Sequence, residues 1–61
     1  MRSASVHKIG SDSFRVTFSF DGRAVAEFIT TSGDLARNIK RTYEKTGDVP
    51  VGTSNLAAAA A

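Results

Sequence analysis

The residue types that carry most enzyme chemistry are sparse in this chain of 61 residues. It has one histidine, His7, and no cysteine, so a cysteine-ligated metal site is excluded and one imidazole is all that the chain offers as an ordinary acid or base near neutral pH. The carboxylates are dispersed, with no two spaced as an acid–base pair, and they are Asp12, Asp21, Glu27, Asp34, Glu44 and Asp48. A chain this short is also too small to enclose a typical substrate cavity by itself. The sequence therefore predicts a protein that is not an enzyme and has no metal or cofactor.

Basic side chains are concentrated in one segment, at spacings that place them on one side of a helix. This basic stripe consists of Arg37, Lys40, Arg41 and Lys45. Together with Glu44 it carries a net charge of +3, so the rest of the chain sums to −1 of the total of +2. Such a stripe either contacts phosphates or an acidic protein surface, or only keeps a small protein soluble. Both interpretations remain open from the sequence.

The strongest local pattern is the alternation of apolar and polar residues over 14–20, which predicts a half-buried β-strand. Asp21-Gly22 and the apolar-rich residues 23–30 then predict a β-hairpin. We expect a three-residue loop ending at Gly22, because a two-residue loop would place Glu27 opposite the core residue Val16. The facing pairs would then be Phe18–Ala24, Val16–Ala26, Phe14–Phe28, Arg15–Glu27, Thr17–Val25 and Ser19–Arg23.

A helix is predicted to follow the hairpin. The sequence Thr31-Ser32-Gly33-Asp34 supplies capping hydroxyls and a carboxylate, and the amphipathic run after it ends at Gly47, which suits a left-handed cap. The apolar side of this run carries Leu35, Ala36, Ile39 and Tyr43. We expect this side to pack on one face of the hairpin.

The predicted fold class is α+β. Its sheet is an antiparallel hairpin or a three-stranded meander over about residues 5–9, 13–19 and 23–30, with one helix over about 32–46. The chain would divide into an N-terminal strand and turn segment (1–12), a hairpin–helix core (13–47) and an extended C-terminal tail (48–61). The five alanines at 57–61 favour a helix but are too few to form one alone.

The face of the hairpin that the helix does not cover is the predicted protein interface. Its candidate residues combine two charges with two exposed apolar side chains and are Arg15, Val25, Glu27 and Ile29. An uncovered face of this kind suits docking of another protein or of a second copy. Residues 23–30 would also form an open edge strand, which permits strand addition. We therefore expect a protein partner or a homo-oligomer, with nucleic acid as the alternative partner.

The stretch Asp21-Gly22-Arg23, Val25, Thr30, Asp34-Leu35, Ile39 and Thr46-Gly47 resembles the hairpin and second helix of the small head-to-tail joining proteins of lambda-like tailed phages. The resemblance covers residues 21–47 without a gap. It implies a fold of helix, hairpin and second helix, no catalytic role, and a ring of copies joining the portal complex to the tail. Before the hairpin, this sequence instead predicts a strand and turn. The resemblance implies a phage-encoded assembly connector, and an inhibitor that docks on a host protein is the other protein-binding role we expect.

The predicted meander is also similar to the arm-type DNA-binding domains of tyrosine recombinases, whose exposed sheet face enters the major groove. Candidate base-reading residues on that face are Arg15, Thr17, Ser19 and Arg23, among acidic and apolar neighbours. The alternative function is therefore a small DNA-binding domain that uses the sheet face and the basic stripe.

The sequence also carries an expectation about location. No run approaches the ~20 apolar residues of a membrane span, and residues 1–20 lack the pattern of a secretory signal. We expect no membrane association and a cytoplasmic protein, located in the host cytoplasm or the virion if it is phage-encoded.

Overall fold

A computed structural model describes residues 1–56 as one antiparallel sheet with one helix packed across it. The elements are β1 (Arg2–Lys8), β2 (Phe14–Phe20), β3 (Arg23–Thr30), α1 (Gly33–Thr46) and β4 (Ser54–Asn55). The strands lie in the order β1-β2-β3-β4, so the α+β class is confirmed, with four strands in place of the predicted two or three. Within residues 1–56 no helix is long and apolar enough to cross a bilayer. The alanine run at 57–61 lies outside the described residues.

β1 is longer than the sequence indicates. The pattern predicts a strand over residues 5–9, but β1 pairs with the whole of β2, from Arg2 opposite Phe20 to Lys8 opposite Phe14. Alanine is a poor strand former, so this pairing rather than local propensity sets the start of β1. β1 occupies the place at which the head-to-tail joining proteins have their first helix.

The β2–β3 hairpin turns more tightly than predicted. Its turn is the two-residue Asp21-Gly22, with positive φ angles of 53° and 81°, and Phe20 lies opposite Arg23. Two successive positive φ angles are typical of the type I′ turn, whose twist matches that of the flanking strands. The predicted three-residue loop is therefore wrong.

A β-bulge then corrects the register along the hairpin. The register shifts between Phe18 and Ser19, and Val25 is left without a facing residue. The extra residue turns Glu27 away from Val16, which removes the objection to a two-residue loop. The observed pairs are Phe20–Arg23, Ser19–Ala24, Phe18–Ala26, Thr17–Glu27, Val16–Phe28, Arg15–Ile29 and Phe14–Thr30. The two pairs next to the turn follow the two-residue register, whereas the pairs beyond the bulge match neither of the two registers considered from the sequence.

The core is one layer of side chains between α1 and the sheet. Its buried members are Val16, Phe18, Ala36, Ile39 and Tyr43. The Tyr43 and Phe18 rings have centroids 4.8 Å apart and are tilted by 60°. The Tyr43 hydroxyl donates a 3.0 Å hydrogen bond to the Ser19 carbonyl, so the one polar group of this layer has a partner.

Two apolar residues lie where the sequence does not predict them. An exposed Val25 is predicted, but the bulge turns it toward α1, where it is half-buried against the core. Leu35 is predicted to be buried, but it is 46% exposed. The cause is that α1 packs mainly on β1 and β2, which leaves the side of the helix toward β3 partly open.

α1 begins and ends close to where its sequence provides caps. The Ser32 hydroxyl accepts a backbone N–H of the first turn at 3.2 Å, and Gly47, at φ 84°, donates its N–H to the Tyr43 carbonyl at 2.8 Å. The Asp34 carboxylate pairs with Arg37 and does not reach back to the capping residues. The helix therefore matches its predicted span to within one residue.

The segment after α1 turns back and adds the fourth strand. Thr53 Oγ1 donates to the Pro50 carbonyl at 2.7 Å, and Gly52 between them has a φ of 95°, which strains any residue that has a side chain. The two residues of β4 then pair with Glu27 and Ala26 of β3. The sequence predicts β3 as an open edge strand, but β4 covers the middle of that edge.

Replacing Phe18 with alanine is expected to lower the free energy of unfolding by about 3 to 5 kcal/mol, because it opens a cavity beneath the Tyr43 ring. Phe20→Ala on the same strand is the matched control, since Phe20 is 53% exposed. Urea unfolding followed by circular dichroism measures both variants. Equal midpoints for the two would contradict the placement of Phe18 in the core.

Candidate docking surfaces

The outer face of the sheet, which is the face opposite α1, is open and polar. Side chains alternate along a strand, so the residues between the buried positions of β2 point away from α1. With their facing partners they give this face Ser3, Ser5, His7, Arg15, Thr17, Ser19, Ala24, Glu27 and Ile29. α1 packs on the other side, so the described part of the chain leaves the outer face uncovered.

Three of the four predicted interface residues come together on this face. They form what we term the docking patch, which consists of Arg15, Glu27 and Ile29. Arg15 lies opposite Ile29, and its Nε is 3.6 Å from Oε2 of Glu27, its diagonal neighbour. Ile29 is 54% exposed beside this ion pair. The fourth predicted residue, Val25, packs against the core and is not part of the docking patch.

The basic stripe faces solvent on α1. All of its members except Lys45 line, together with Glu44, a shallow depression of about 340 Å³. Arg37 pairs with Asp34, and Lys40 Nζ is 3.1 Å from Glu44 Oε1. Within residues 1–56 the other two cations of the stripe have no carboxylate partner. Ion pairs therefore compensate two of the four positive charges of the stripe, and the second carboxylate, Asp34, was not included in the sequence count of +3.

Glu44 of α1 contacts the free edge of β1, which is the edge that does not pair with β2. Its Oε2 accepts the backbone N–H of Ala4 at 3.3 Å, and its two oxygens accept from Lys40 Nζ at 3.1 and 3.2 Å. The hydrogen bond from Lys40, and next the one from Ala4, favour the ionised form and hold the pKa of the Glu44 carboxyl below its ordinary value.

α1 also borders an apolar groove that is absent from the sequence-based candidates. The groove has a volume of about 240 Å³ and lies between α1 and the segment that follows it, with Leu35, Ile39, Val49 and Pro50 among its walls. The position of Leu35 at the margin of the apolar side was the only sequence signal for it. The return of the chain toward β3 brings the other wall into place.

The side chains that could act in acid–base or metal chemistry lie apart from one another. His7 is on the outer face, opposite Arg15. Among residues 1–56, no three His, Cys, Asp or Glu side chains gather where they could hold a metal ion. The described surfaces therefore offer ion pairing, hydrogen bonding and apolar contact.

Comparisons with protein-family models, with curated proteins and with solved structures returned no match. The resemblances to joining proteins and to arm-type domains stay predictions. Function is therefore inferred from the surfaces of the chain.

Replacing Glu44 with glutamine is expected to destabilise the protein at neutral pH but not at strongly acidic pH. The folded state lowers the pKa of Glu44 from its ordinary 4.5, so its ionisation stabilises the fold above that value. This contribution is lost as the pH falls through the lowered folded pKa. Urea midpoints of the wild type and the variant, measured across this pH range, test the expectation.

The control is Asp12→Asn, because the Asp12 carboxylate makes no ion pair within residues 1–56. A difference between wild type and Glu44→Gln that stays constant with pH would show that the ionised carboxylate is not its source.

Proposed function

We propose that the protein is a small, non-enzymatic protein-binding module that docks on its partner through the outer face, with the docking patch at the centre. The observation that carries this proposal is the exposed Ile29 beside the Arg15–Glu27 ion pair, on a sheet face that no described element covers. An apolar side chain flanked by an arginine is a common composition at the centre of protein interfaces.

The chemistry of the docking patch defines the partner surface that fits it. In the Arg15–Glu27 pair Arg15 is exposed, Glu27 is half-buried and the two atoms are 3.6 Å apart, so the pair contributes little to stability and leaves the guanidinium able to bind a further carboxylate. Ile29 gains from contact with an apolar side chain, which removes both from water. The expected partner therefore presents an apolar side chain next to a carboxylate. Because the docking patch has no net charge, this binding should resist salt.

The docking patch is held in place from behind. Arg15 is the residue of the docking patch on β2. The same strand carries Val16 and Phe18, which point to the opposite face and are fully buried under α1, so it is anchored in the core. A preorganised surface loses little conformational entropy on binding, which favours affinity from a small contact.

Two biological forms of this role are consistent with the resemblance and with the size of the chain. One is an assembly connector encoded by a phage, as the similarity of residues 21–47 to the joining proteins suggests. The other is an inhibitor that docks on a host protein.

The test compares two equivalent substitutions. Immobilised wild type, Ile29→Lys and Val51→Lys are exposed to a lysate of the cells that encode the chain, and retained proteins are quantified by mass spectrometry. Val51 is likewise an exposed β-branched residue, but it lies in the turn before β4, outside the docking patch. We expect a protein that wild type and Val51→Lys retain in high salt and that Ile29→Lys loses at least tenfold. Equal retention by all three would overturn the proposal.

DNA binding is the second candidate, favoured by the depression that three basic side chains of α1 share. The outer face and the basic stripe lie on opposite sides of the molecule, so one duplex cannot contact both surfaces of one copy. The outer face itself carries one arginine and one glutamate, so it has no net positive charge to attract a polyanion. DNA binding would therefore use the stripe alone.

We expect such binding to be confined to low salt. Two cations without carboxylate partners correspond to a slope of about −2 in a plot of log affinity against log salt, and Arg41→Gln should reduce it to about −1. Fluorescence anisotropy with a labelled duplex measures both slopes. Binding that persists at physiological salt would instead favour the DNA-binding function.

A further inference from the structure

The side of β1 that does not pair with β2 is an open strand edge. β1 ends the sheet, and within residues 1–56 no strand pairs with its free side. The Met1 carbonyl and the Ile9 N–H, at its two ends, both bond toward β2. The backbone groups of successive residues alternate in direction, so those of the even-numbered residues point to the free edge. The contact of the Ala4 N–H with Glu44 confirms this. The backbone N–H and C=O of Val6 point the same way.

This edge carries few of the features that prevent strand pairing. β1 is a seven-residue strand without proline or bulge, and its charged residues, Arg2 and Lys8, lie at its two ends. Its central residues are small or β-branched. Glu44 occupies the N–H of Ala4, and this is the one side-chain cap on the edge within residues 1–56.

We propose that β1 is a self-association site, at which two copies pair antiparallel about a two-fold axis through Ser5 to form one continuous sheet. In this register Ala4 of each copy faces Val6 of the other. The backbone N–H and C=O of both residues point to the free edge, so each such pair exchanges two backbone hydrogen bonds. The proposal goes beyond the proposed function because it uses the edge of the sheet and a second copy of this chain.

Charges on α1 follow the same edge. Glu44 contacts the Ala4 N–H and is therefore level with Ala4, and the bond from Arg2 to a later carbonyl of α1 shows that α1 runs antiparallel to β1. Lys40 lies four residues earlier on α1, which is about 6 Å along the helix axis or about two residues of strand. Lys40 is therefore level with Val6.

This spacing makes the edge complementary to itself. The axis through Ser5 places Ala4 of one copy beside Val6 of the other. Glu44 of each copy then lies opposite Lys40 of the second copy, which gives two ion pairs across the axis. The Ala4 N–H gains a backbone acceptor in exchange for Glu44, so no polar group loses a partner.

One pairing in this register brings like charges together, since Arg2 faces Lys8 of the second copy. The Arg2 guanidinium, however, bonds the Lys45 carbonyl at 3.2 Å at the end of its own helix. It is thereby held away from the shared edge, where the repulsion would be strongest.

Pairing through β1 also enlarges the outer face. Three strands of about seven residues present roughly 330 Å² in projection, whereas a standard interface buries about 800 Å² on each partner. Two copies joined at β1 present about twice that area and two docking patches on one side.

The test is a charge swap read out as molecular mass. Light scattering from micromolar to millimolar concentration should give wild type twice the 6.5 kDa mass of the chain. Lys40→Glu and Glu44→Lys should each weaken self-association roughly tenfold or more, because each puts like charges across the axis. An equimolar mixture of the two variants should recover the wild-type affinity, since every pair across the axis then has opposite charges.

Glu27→Lys is the matched control, because it makes the same change on the docking patch and should leave the dimer intact. A wild type that stays monomeric at every concentration, or a mixture that fails to recover the dimer, overturns the proposal. Loss of the dimer in Glu27→Lys alone would place self-association on the outer face and also overturns it. The mass readout is independent of partner capture by the docking patch, so the two proposals fail separately.

Discussion

The contact between Tyr43 and Phe18 holds the two layers of this domain together. Ring centroids 4.8 Å apart and the hydrogen bond from Tyr43 to the Ser19 carbonyl fix α1 across β2. One helix supplies enough apolar surface to cover one face of the sheet, and in a chain of this size the other face stays in water. The serines, threonine and ion pair of the outer face are therefore a consequence of the way the core is built, because they alternate with the buried positions.

Local patterns predicted the elements, and pairing between distant residues decided their details. The alternation over residues 14–20, the turn at Asp21-Gly22 and the cap at Gly47 each act over a few residues and lie where the sequence indicates. The bulge at Val25 arises because a type I′ turn and the burial of Phe28 cannot both be met without an extra residue. Each requirement is visible in the sequence, but their joint solution depends on how the two strands meet. β4 depends in the same way on a turn that docks against β3.

The candidate site was predictable to the extent that strand alternation governs it. Arg15, Glu27 and Ile29 lie on the outer face because their positions differ in parity from the buried ones, whereas the bulge breaks that parity at Val25. The ion pair of the docking patch forms along a diagonal, which a long arginine can span even when the register differs from the predicted one. The apolar groove beside Leu35 was missed, since it needs the position of α1 relative to β3, which no local pattern contains.

The outer face and α1 differ in charge, and this difference decides which contacts each surface can make. The outer face has balanced charge, so contacts there depend on shape, hydrogen bonding and the exposed Ile29, and salt affects them little. On α1, the carboxylates of Asp34 and Glu44 offset half of the basic stripe, which reduces the field that would attract a polyanion. Glu44 thus has two effects, because it weakens the stripe and also caps the edge of β1. Half of the basic stripe is thus compensated and the open sheet face is neutral, and both features support the proposed protein partner over nucleic acid.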